Sequence, residues 1–275
     1  MCIVFIYNGN SDPESEYSLI LITNRDEFFD RHAQNMTPWK EDPNVYGGID
    51  LGAECQSTWL AYSSSKKKLG LLLNYPEVKK ENPKSEILYK LLIINNITLR
   101  CIFFMDQIKN TVKITFNFFL YSLTHYKFLK QPLVQTYSNA TNKLQTWTEP
   151  FLGFSNNLPN YPLTKVEAGK ESLKNICEKY KTIERKSQLI DTLLELLKSE
   201  ERHIPDPILQ KRRPDDYQWF SSIYVCVPPV RYGTRTHTLM LVTKAGHGDL
   251  IEVTMQSPIN ISNPVWKRSD FHFKV

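Results

Sequence analysis

Apolar and polar positions alternate in short blocks at both ends of the chain and follow a helical spacing in between. Residues 1–6 read as a buried strand, and 19–22 read as a second buried strand that runs into polar residues. Alternating apolar residues over 111–123 mark one face of a longer strand. A short strand is predicted to start at 47–48. The first part of the chain is therefore predicted to consist mainly of β-strands.

Helical spacing is clearest over 187–198, where six apolar residues form a broad stripe and prolines follow. Further helices are predicted over 169–181 and 86–94. The last part of the chain returns to strands, which are predicted over 222–227, 238–243 and 251–255. Strands come first, helices later and strands last, without repeats or a linker. This order predicts a single α+β domain over 1–275.

Length and charge narrow the classes of function. With 275 residues, 41% of them hydrophobic, the chain is long enough to bury a large core. Lysine and arginine number 34 against 29 aspartates and glutamates, an excess of 34 − 29 = 5. The short basic runs, such as 211–213, are typical of solvated loops, and the alternative is a mild attraction for an anionic ligand. No nucleic-acid partner is expected, because no recognition motif accompanies them.

The cysteines and the N-terminus bear on metals and location. The five cysteines are widely spaced and form no C-x-x-C pair, so neither a bound metal nor a disulfide framework is expected. Reduced thiols favour a cytoplasmic location, with a mitochondrial pool as a second one. The N-terminus lacks the basic region of a secretory signal, and no apolar run reaches the length of a membrane span. We therefore expect a soluble protein whose contact with organelle membranes is at most peripheral.

The candidate chemistry lies at the ends of the first two predicted strands. If the initiator methionine is removed, Cys2 carries a thiol and a free α-amine, the minimal machinery of an N-terminal nucleophile. The amine takes the proton and the sulfur attacks a carbonyl. Arg25 would favour the thiolate. Asp26 would orient either Arg25 or the α-ammonium, and a turn beginning at Asn24 would bring Arg25 and Asp26 side by side.

Six blocks of sequence, in order, carry a resemblance to a known family. Asn24-Arg25-Asp26-Glu27 behind Met1-Cys2 resembles the NRDE family, and further blocks match along almost the whole chain. These blocks are Thr58-Trp59-Leu60, Leu72-Leu73-Asn74-Tyr75, Gly153-Phe154-Ser155-Asn156, Ile204-Pro205-Asp206-Pro207 and Tyr232-Gly233-Thr234-Arg235-Thr236.

The resemblance implies a fold and two kinds of ligand. The family is similar to the N-terminal nucleophile hydrolases, which implies a four-layer αββα sandwich. Its members have been linked to haem mobilisation, with acyl-CoA binding as a competing proposal. The resemblance therefore implies haem as the ligand, without a required cofactor. If the chain is an enzyme, it would be a cysteine hydrolase that acts on an amide or a thioester.

The resemblance also assigns residues to the site. Asn74 and Asn156 match the groups that stabilise the tetrahedral oxyanion, and Arg235 matches an arginine that closes the same site. Together with Cys2, Arg25 and Asp26 they form the implied catalytic set. The implied ligand-binding residues are Asn24, Arg25, Asp26, Glu27 and His237. In the acyl-CoA alternative, Asn24, Arg25 and Glu27 hold the ligand.

Each of these residues also has an ordinary structural interpretation. Cys2 is equally compatible with a small core residue, and Arg25-Asp26 with a structural ion pair. Asn24 fits a turn, Glu27 fits solvent at the start of a loop, and His237 fits a surface strand position. Two functional interpretations remain. One is a haem carrier with a hydrolase-derived pocket, and the other is a thiol amidase or thioesterase that depends on Cys2.

Overall fold

The computed structural model describes residues 1–52, 57–74, 116–122, 133–138 and 140–275. In these residues the protein is a mixed α/β structure, mostly antiparallel sheet with few helices. The α+β prediction is confirmed at this level. The four-layer arrangement stays a prediction.

The chain forms two compact units. One consists of Met1–Asp30 together with Glu149–Val275, and the other of Arg31–Thr148. The single domain over 1–275 stays a prediction.

The strands in the described residues are numbered in chain order. They are β1 (Ile3–Asn8), β2 (Tyr17–Phe28), β3 (Ala33–Pro38), β4 (Val45–Asp50), β5 (Leu60–Ser63), β6 (Lys68–Asn74), β7 (Phe116–Ser122), β8 (Leu133–Ser138), β9 (Lys143–Trp147), β10 (Phe151–Ser155), β11 (Cys226–Val227), β12 (Tyr232–Thr243), β13 (His247–Met255) and β14 (Trp266–Lys274).

Each unit contains one seven-stranded antiparallel sheet. In the first unit the order is β10-β1-β2-β12-β13-β14, and β11 also pairs with β12. In the second unit β3 to β9 follow one another as a meander. The first two strands of the chain are thus interior strands of the first sheet, as expected for strands with continuous apolar runs.

The α-helices of the described residues all lie in the first unit. They are α1 (Thr164–Lys179), α2 (Lys186–Leu197) and α3 (Pro207–Arg212). None of the helices in the described ranges is long and apolar enough to cross a membrane.

One face of the first sheet packs against α1 and α2. Ile3 and Phe5 of β1, Ile22 of β2 and Leu239 of β12 share a buried core with Leu193 of α2. Because side chains alternate along a strand, the residues two positions apart from these lie on the same face. We call this surface the helix-side face of the sheet. The direction of each candidate side chain is described below relative to this face.

The strong α2 pattern was predicted to within one residue, whereas α1 begins five residues before its predicted start at 169. No side chain of the preceding residue caps α1. Instead, the Thr164 amide donates to Asp206 Oδ2 at 2.8 Å, a cap from a segment distant in sequence. Gly169 lies inside α1. The residue is a glycine because a Cβ there would come 2.2 Å from the ring of Phe5. The glycine marks a close helix-sheet approach and not a helix start.

The remaining predicted elements divide into three groups. The predicted strand over 222–227 was too long, since only Cys226–Val227 is strand. The strands predicted at 238–243 and 251–255 are confirmed as parts of β12 and β13. The helix predicted over 86–94 lies outside the described residues. Part of the strand predicted over 111–123 does too, and the rest is β7.

Candidate functional site

Cys2 lies directly before β1, at the end where β1 meets β2 and β10. Ile3 pairs with Asn24 on one side and Ser155 on the other, so the next pair along the chain is Cys2 opposite Arg25. Cys2 Sγ accepts the Asp26 N–H at 3.3 Å and lies 3.7 Å from the Asp26 carbonyl oxygen. The thiol is thereby fixed against the backbone of the N-R-D-E block.

Asp26 holds the α-amino group of the chain. Its Oδ2 forms an ion pair with the Met1 nitrogen at 2.9 Å, and its Oδ1 accepts a hydrogen bond from Thr234 Oγ1 at 2.7 Å. The α-amino group also donates to the Tyr232 hydroxyl. Thr234 lies directly opposite Asp26 on β12. The sequence allowed Asp26 to orient Arg25 or the α-ammonium of Cys2, whereas the nitrogen that it holds here is that of Met1. Its role towards a terminal Cys2 amine stays a prediction.

Burial is the largest cause of the pKa shifts of the two groups beside this carboxylate. It raises the pKa of the Cys2 thiol, against smaller opposing effects of the α-amino group and Arg25. Burial also raises the pKa of Tyr232 well above its ordinary value, and the Asp26 charge adds to that effect. With Met1 in place, therefore, Cys2 is a protonated thiol and Tyr232 a neutral phenol at neutral pH.

The turn expected at Asn24 is wrong. β2 continues without interruption to Phe28, so Arg25 and Asp26 point to opposite faces of the sheet. Asn24 and Asp26 lie on the helix-side face, and Arg25 lies on the other face. Arg25 is only 5% exposed. Its positive charge is among the groups that act on the Cys2 thiol.

Asn24 and His237 form a buried hydrogen-bonded pair on the helix-side face of the sheet. Asn24 Nδ2 donates to the carbonyl oxygens of Leu197 and Ile223, at 2.8 and 3.1 Å. Its oxygen lies 2.7 Å from His237 Nδ1, so Nδ1 is the protonated ring nitrogen. The His237 ring stacks on Trp266, with centroids 4.8 Å apart. The hydrogen-bonding atoms of Asn24 are thus all engaged inside the protein.

The surface position expected for His237 is wrong. The residue is completely buried, and burial lowers its pKa to about 3, so the imidazole stays neutral. It lies on the helix-side face. The sequence pattern missed this because β12 is a central strand, and every residue of it after Tyr232 is buried.

Arg235 and Asn156 also lie in the first unit. A β-bulge between Thr234 and Thr236 displaces Arg235, whose Nη1 donates to the Phe28 carbonyl oxygen at 2.9 Å. Asn156 is buried directly after β10, and its carbonyl oxygen accepts from Arg212 Nη1 at 3.0 Å. The preceding residue, Ser155, donates through Oγ to the Cys2 carbonyl oxygen at 2.9 Å. β10 therefore brings the Asn156 segment next to Cys2.

The two remaining predicted site residues are Asn74, in the second unit, and Glu27, on β2 of the first unit. Asn74 ends β6 in the second unit, with its side chain exposed, and its role in the site stays a prediction. Glu27 is partly buried, and its Oε1 accepts the Phe28 N–H at 2.9 Å. In the described ranges, no group of three or more histidine, cysteine, aspartate or glutamate side chains is arranged to hold a metal ion.

Sequence reasoning missed three residues around Asp26. Tyr232 and Thr234 lie in the block that singled out Arg235, and their spacing of two places both on the face of Asp26 once β2 and β12 are paired. Lys165, in the first turn of α1, is fully buried, and Asp26 is among the charges that act on it. A lysine between Leu163 and Val166, both of them core residues, was the only available signal.

Known proteins match this chain along almost its whole length. The family model described as Transport and Golgi organisation 2 matches residues 1–257. The Transport and Golgi organization protein 2 of Drosophila melanogaster is 31% identical over 268 residues, which cover 93% of this chain and 92% of that protein. The Mus musculus homolog is 27% identical over 286 residues, 99% of each. The Homo sapiens homolog is 28% identical over 269 residues, 93% of each.

The block order, the N-terminal site and the full-length match lead to one assignment. The chain belongs to the Transport and Golgi organisation 2 family.

Proposed function

We propose that this chain mobilises haem and holds it beside Cys2 and Arg25, at the end of β1 and β2. The observation that carries the proposal is the state of Cys2. Its nitrogen is an amide and burial raises the pKa of its thiol, so with Met1 attached it is poorly suited to attack a carbonyl. The guanidinium of Arg25, the residue opposite Cys2 in the register, suits an anionic ligand, such as a haem propionate. Binding is therefore favoured over catalysis.

The fold and the location that we propose for this chain follow the resemblance. We propose a four-layer αββα sandwich of the N-terminal nucleophile hydrolase type, as one domain over 1–275. The site at an interior strand end supports it. We also propose a location in the cytoplasm, with a mitochondrial pool, and at most peripheral contact with organelle membranes. The relatives are named for transport and Golgi organisation, and we propose a role in intracellular transport for this chain too.

The second candidate is a cysteine hydrolase acting on an amide or a thioester. The Asp26 carboxylate beside the N-terminus favours it, because a hydrolase of this class needs an oriented terminal amine. The nitrogen that Asp26 holds here belongs to Met1, and removal of Met1 would make the Cys2 nitrogen the terminal amine. The amine would take the thiol proton, Sγ would bond to the carbonyl carbon, and the leaving amine or thiol would depart with the proton. Water would then hydrolyse the resulting thioester.

Acyl-CoA binding ranks third. In that alternative Asn24 contacts the ligand, yet its amide nitrogen and oxygen are engaged with Leu197, Ile223 and His237. A ligand at Asn24 would have to displace buried hydrogen bonds, each of which costs about 1–3 kcal/mol when left unmade.

A ligand titration separates the candidates. Ferric haem and a long-chain acyl-CoA are titrated into the purified protein, and binding is followed by haem absorbance and by calorimetry. We expect saturable haem binding that weakens about tenfold in Arg25→Ala, equivalent to about 1.4 kcal/mol. Glu27→Ala should weaken it less. Arg268→Ala removes an exposed guanidinium that pairs with Asp270, and serves as the control.

Two results would contradict the haem proposal. One is saturable binding of acyl-CoA without binding of haem. The other is an equal loss of affinity in Arg25→Ala and Arg268→Ala, which would make the attraction a matter of net charge. Circular dichroism and thermal unfolding establish that each variant is folded.

Cys2→Ala distinguishes carrier from enzyme. A carrier needs the cleft and not the nucleophile, so we expect haem transfer to an apo-haemoprotein to be retained. Loss of transfer in a folded Cys2→Ala protein would make the sulfur an iron ligand. Hydrolysis of amide or thioester substrates by the wild type, abolished in Cys2→Ala, would favour the second candidate.

A further inference from the structure

A cavity of about 320 Å³ lies in the first unit, at the start of α2 and the strands β13 and β14. Its volume is at the lower end of the range for small-molecule sites. The described residues that line it are Ile183, Lys186, Thr243, His247, Gly248, Asp249, His272 and Phe273. None of these eight residues belongs to the site at Cys2.

Asp249 holds two nitrogen donors at the wall of this cavity. Its Oδ2 lies 3.0 Å from Lys186 Nζ, and its Oδ1 lies 2.8 Å from His272 Nδ1. Asp249 and His272 are direct partners in the register of β13 and β14, and Lys186 is the first residue of α2. Both carboxylate oxygens are thus engaged. The carboxylate fixes the directions of the lysine and of the imidazole.

The same contacts leave binding groups of Lys186 and His272 for a ligand. An ammonium has three donors, and its two hydrogen bonds to Asp249 use at most two of them. An imidazole held through Nδ1 directs Nε2 away from the carboxylate. His247 lies two positions before Asp249, on the same face of β13, and adds a second imidazole. Three nitrogen-bearing side chains therefore converge on one cavity.

The charge around the cavity favours an anion. Asp249 is the one carboxylate among the eight lining residues, and its charge is balanced by Lys186. Lys274 lies opposite His247 on β14, so it brings a second ammonium to the same face. Each imidazole adds a positive charge when it is protonated. The cations thus outnumber the carboxylate.

We propose that this cavity binds a phosphate monoester of a small organic group. A phosphate group has three strong acceptor oxygens, which match the donors of Lys186, His247 and His272 more fully than the two oxygens of a carboxylate. The cavity extends beyond the volume of a phosphate group, and Ile183 adds an apolar contact for the organic part. The inference goes beyond the proposed function, because it concerns a second site.

The experiment follows the histidine ring signals by NMR during a titration with phenyl phosphate. It is run at a fixed, slightly acidic pH, where imidazoles are more fully protonated. We expect saturable shifts of the His247 and His272 signals, with a Kd below about 1 mM. The signal of His237, which is completely buried on the same face, should not move. The variants His247→Gln and His272→Gln assign the two signals.

Two further ligands test the chemistry on the wild type alone. Inorganic phosphate should bind more weakly than phenyl phosphate, since it lacks the organic part, and benzoate should bind most weakly. Equal binding of inorganic phosphate would make the free ion the ligand and contradict the monoester. Benzoate binding as tight as that of phenyl phosphate, or the absence of saturable shifts, would overturn the phosphate site.

Lys186→Met tests the position of the charge. We expect it to weaken phenyl phosphate at least about fivefold, because it removes the charged donor. Lys170→Met makes the same change of net charge on α1, beside Glu167, and should leave the affinity unchanged. Equal losses in the two folded variants would show an effect of net charge and contradict the site. No readout uses haem or a hydrolysed substrate, so failure of the proposed function would leave this inference standing.

Discussion

Two carboxylates on the helix-side face of the first sheet each bind nitrogen-bearing partners, and these partners differ in exposure. Asp26 lies opposite Thr234, and Asp249 lies opposite Leu241, so they are separated by seven positions along β12, or roughly 23 Å. Asp249 accepts from Lys186 Nζ at 3.0 Å and from His272 Nδ1 at 2.8 Å.

The difference between the two clusters is the exposure of the partners. The side chains of Lys186 and His272 are 38% and 72% exposed, whereas the Met1 side chain at the ion pair with Asp26 is 11% exposed. A solvated partner keeps most of its hydration, so its pair contributes little to stability. A buried carboxylate depends more on its partner, because little water can replace it. The Asp249 cluster has the features of a surface ion pair, and the Asp26 cluster has those of a buried one.

Removal of the buried carboxylate is expected to have the largest effect. Asp26→Asn leaves the α-ammonium without its counter-charge, and breaking a buried ion pair costs about 3–5 kcal/mol. Urea unfolding at pH 7 should show a loss of this size in the free energy of unfolding. Asp30→Asn, at an exposed pair with Arg231, is the control and should cost less than about 1 kcal/mol. Equal losses in the two variants would mean that burial of the carboxylate does not decide how much its ion pair contributes.

The pH dependence of stability sharpens the comparison at Lys165. Its folded pKa of about 8 is lower than its ordinary value of 10.5, so the unfolded chain binds more protons between these values. Stability therefore rises with pH in that window, by up to about 1.4 kcal/mol per pH unit, and this contribution is lost as pH falls through 8. The unfolding free energy of the wild type, relative to that of Lys165→Met, should therefore increase from pH 8 to 9.5. A constant difference would show that Lys165 titrates as an ordinary lysine.

The strands that carry the site were predictable, but the direction of the side chains was not. The apolar runs before Asn24 and after Cys2 predict buried strands, and these are β2 and β1. How far β2 continues depends on its pairing with β12, a strand more than 200 positions later. That pairing decides that Arg25 and Asp26 face opposite sides. Local sequence contains no information about it, and a polar tetrapeptide after a strand is typical of a turn.

Lys165 was missed for a related reason. The predicted helix began at 169, after the lysine, because no local residue caps the first turn of α1. The capping carboxylate belongs to Asp206, some forty positions later, where Pro207 opens α3. The block Ile204-Pro205-Asp206-Pro207 supported the family resemblance, yet its structural role required the tertiary fold. Where caps and pairings are long-range, sequence periodicity indicates the element but not its ends.

The smallest expected effect is at the exposed cluster. Asp249→Asn removes the ion pair with Lys186 and weakens the contact with His272, but both partners regain water, so the loss in unfolding free energy should be about 1 kcal/mol. Because Lys186 is solvated, the loss should shrink further when salt rises from about 0.05 to 1 M, where the screening length falls to about 3 Å. The loss in Asp26→Asn should change little over the same range, because buried charges are screened less. Urea unfolding of both variants at the two salt concentrations checks this. A loss in Asp249→Asn that exceeds the loss in Asp26→Asn, or that persists at high salt, would mean that exposure does not decide how these two clusters differ.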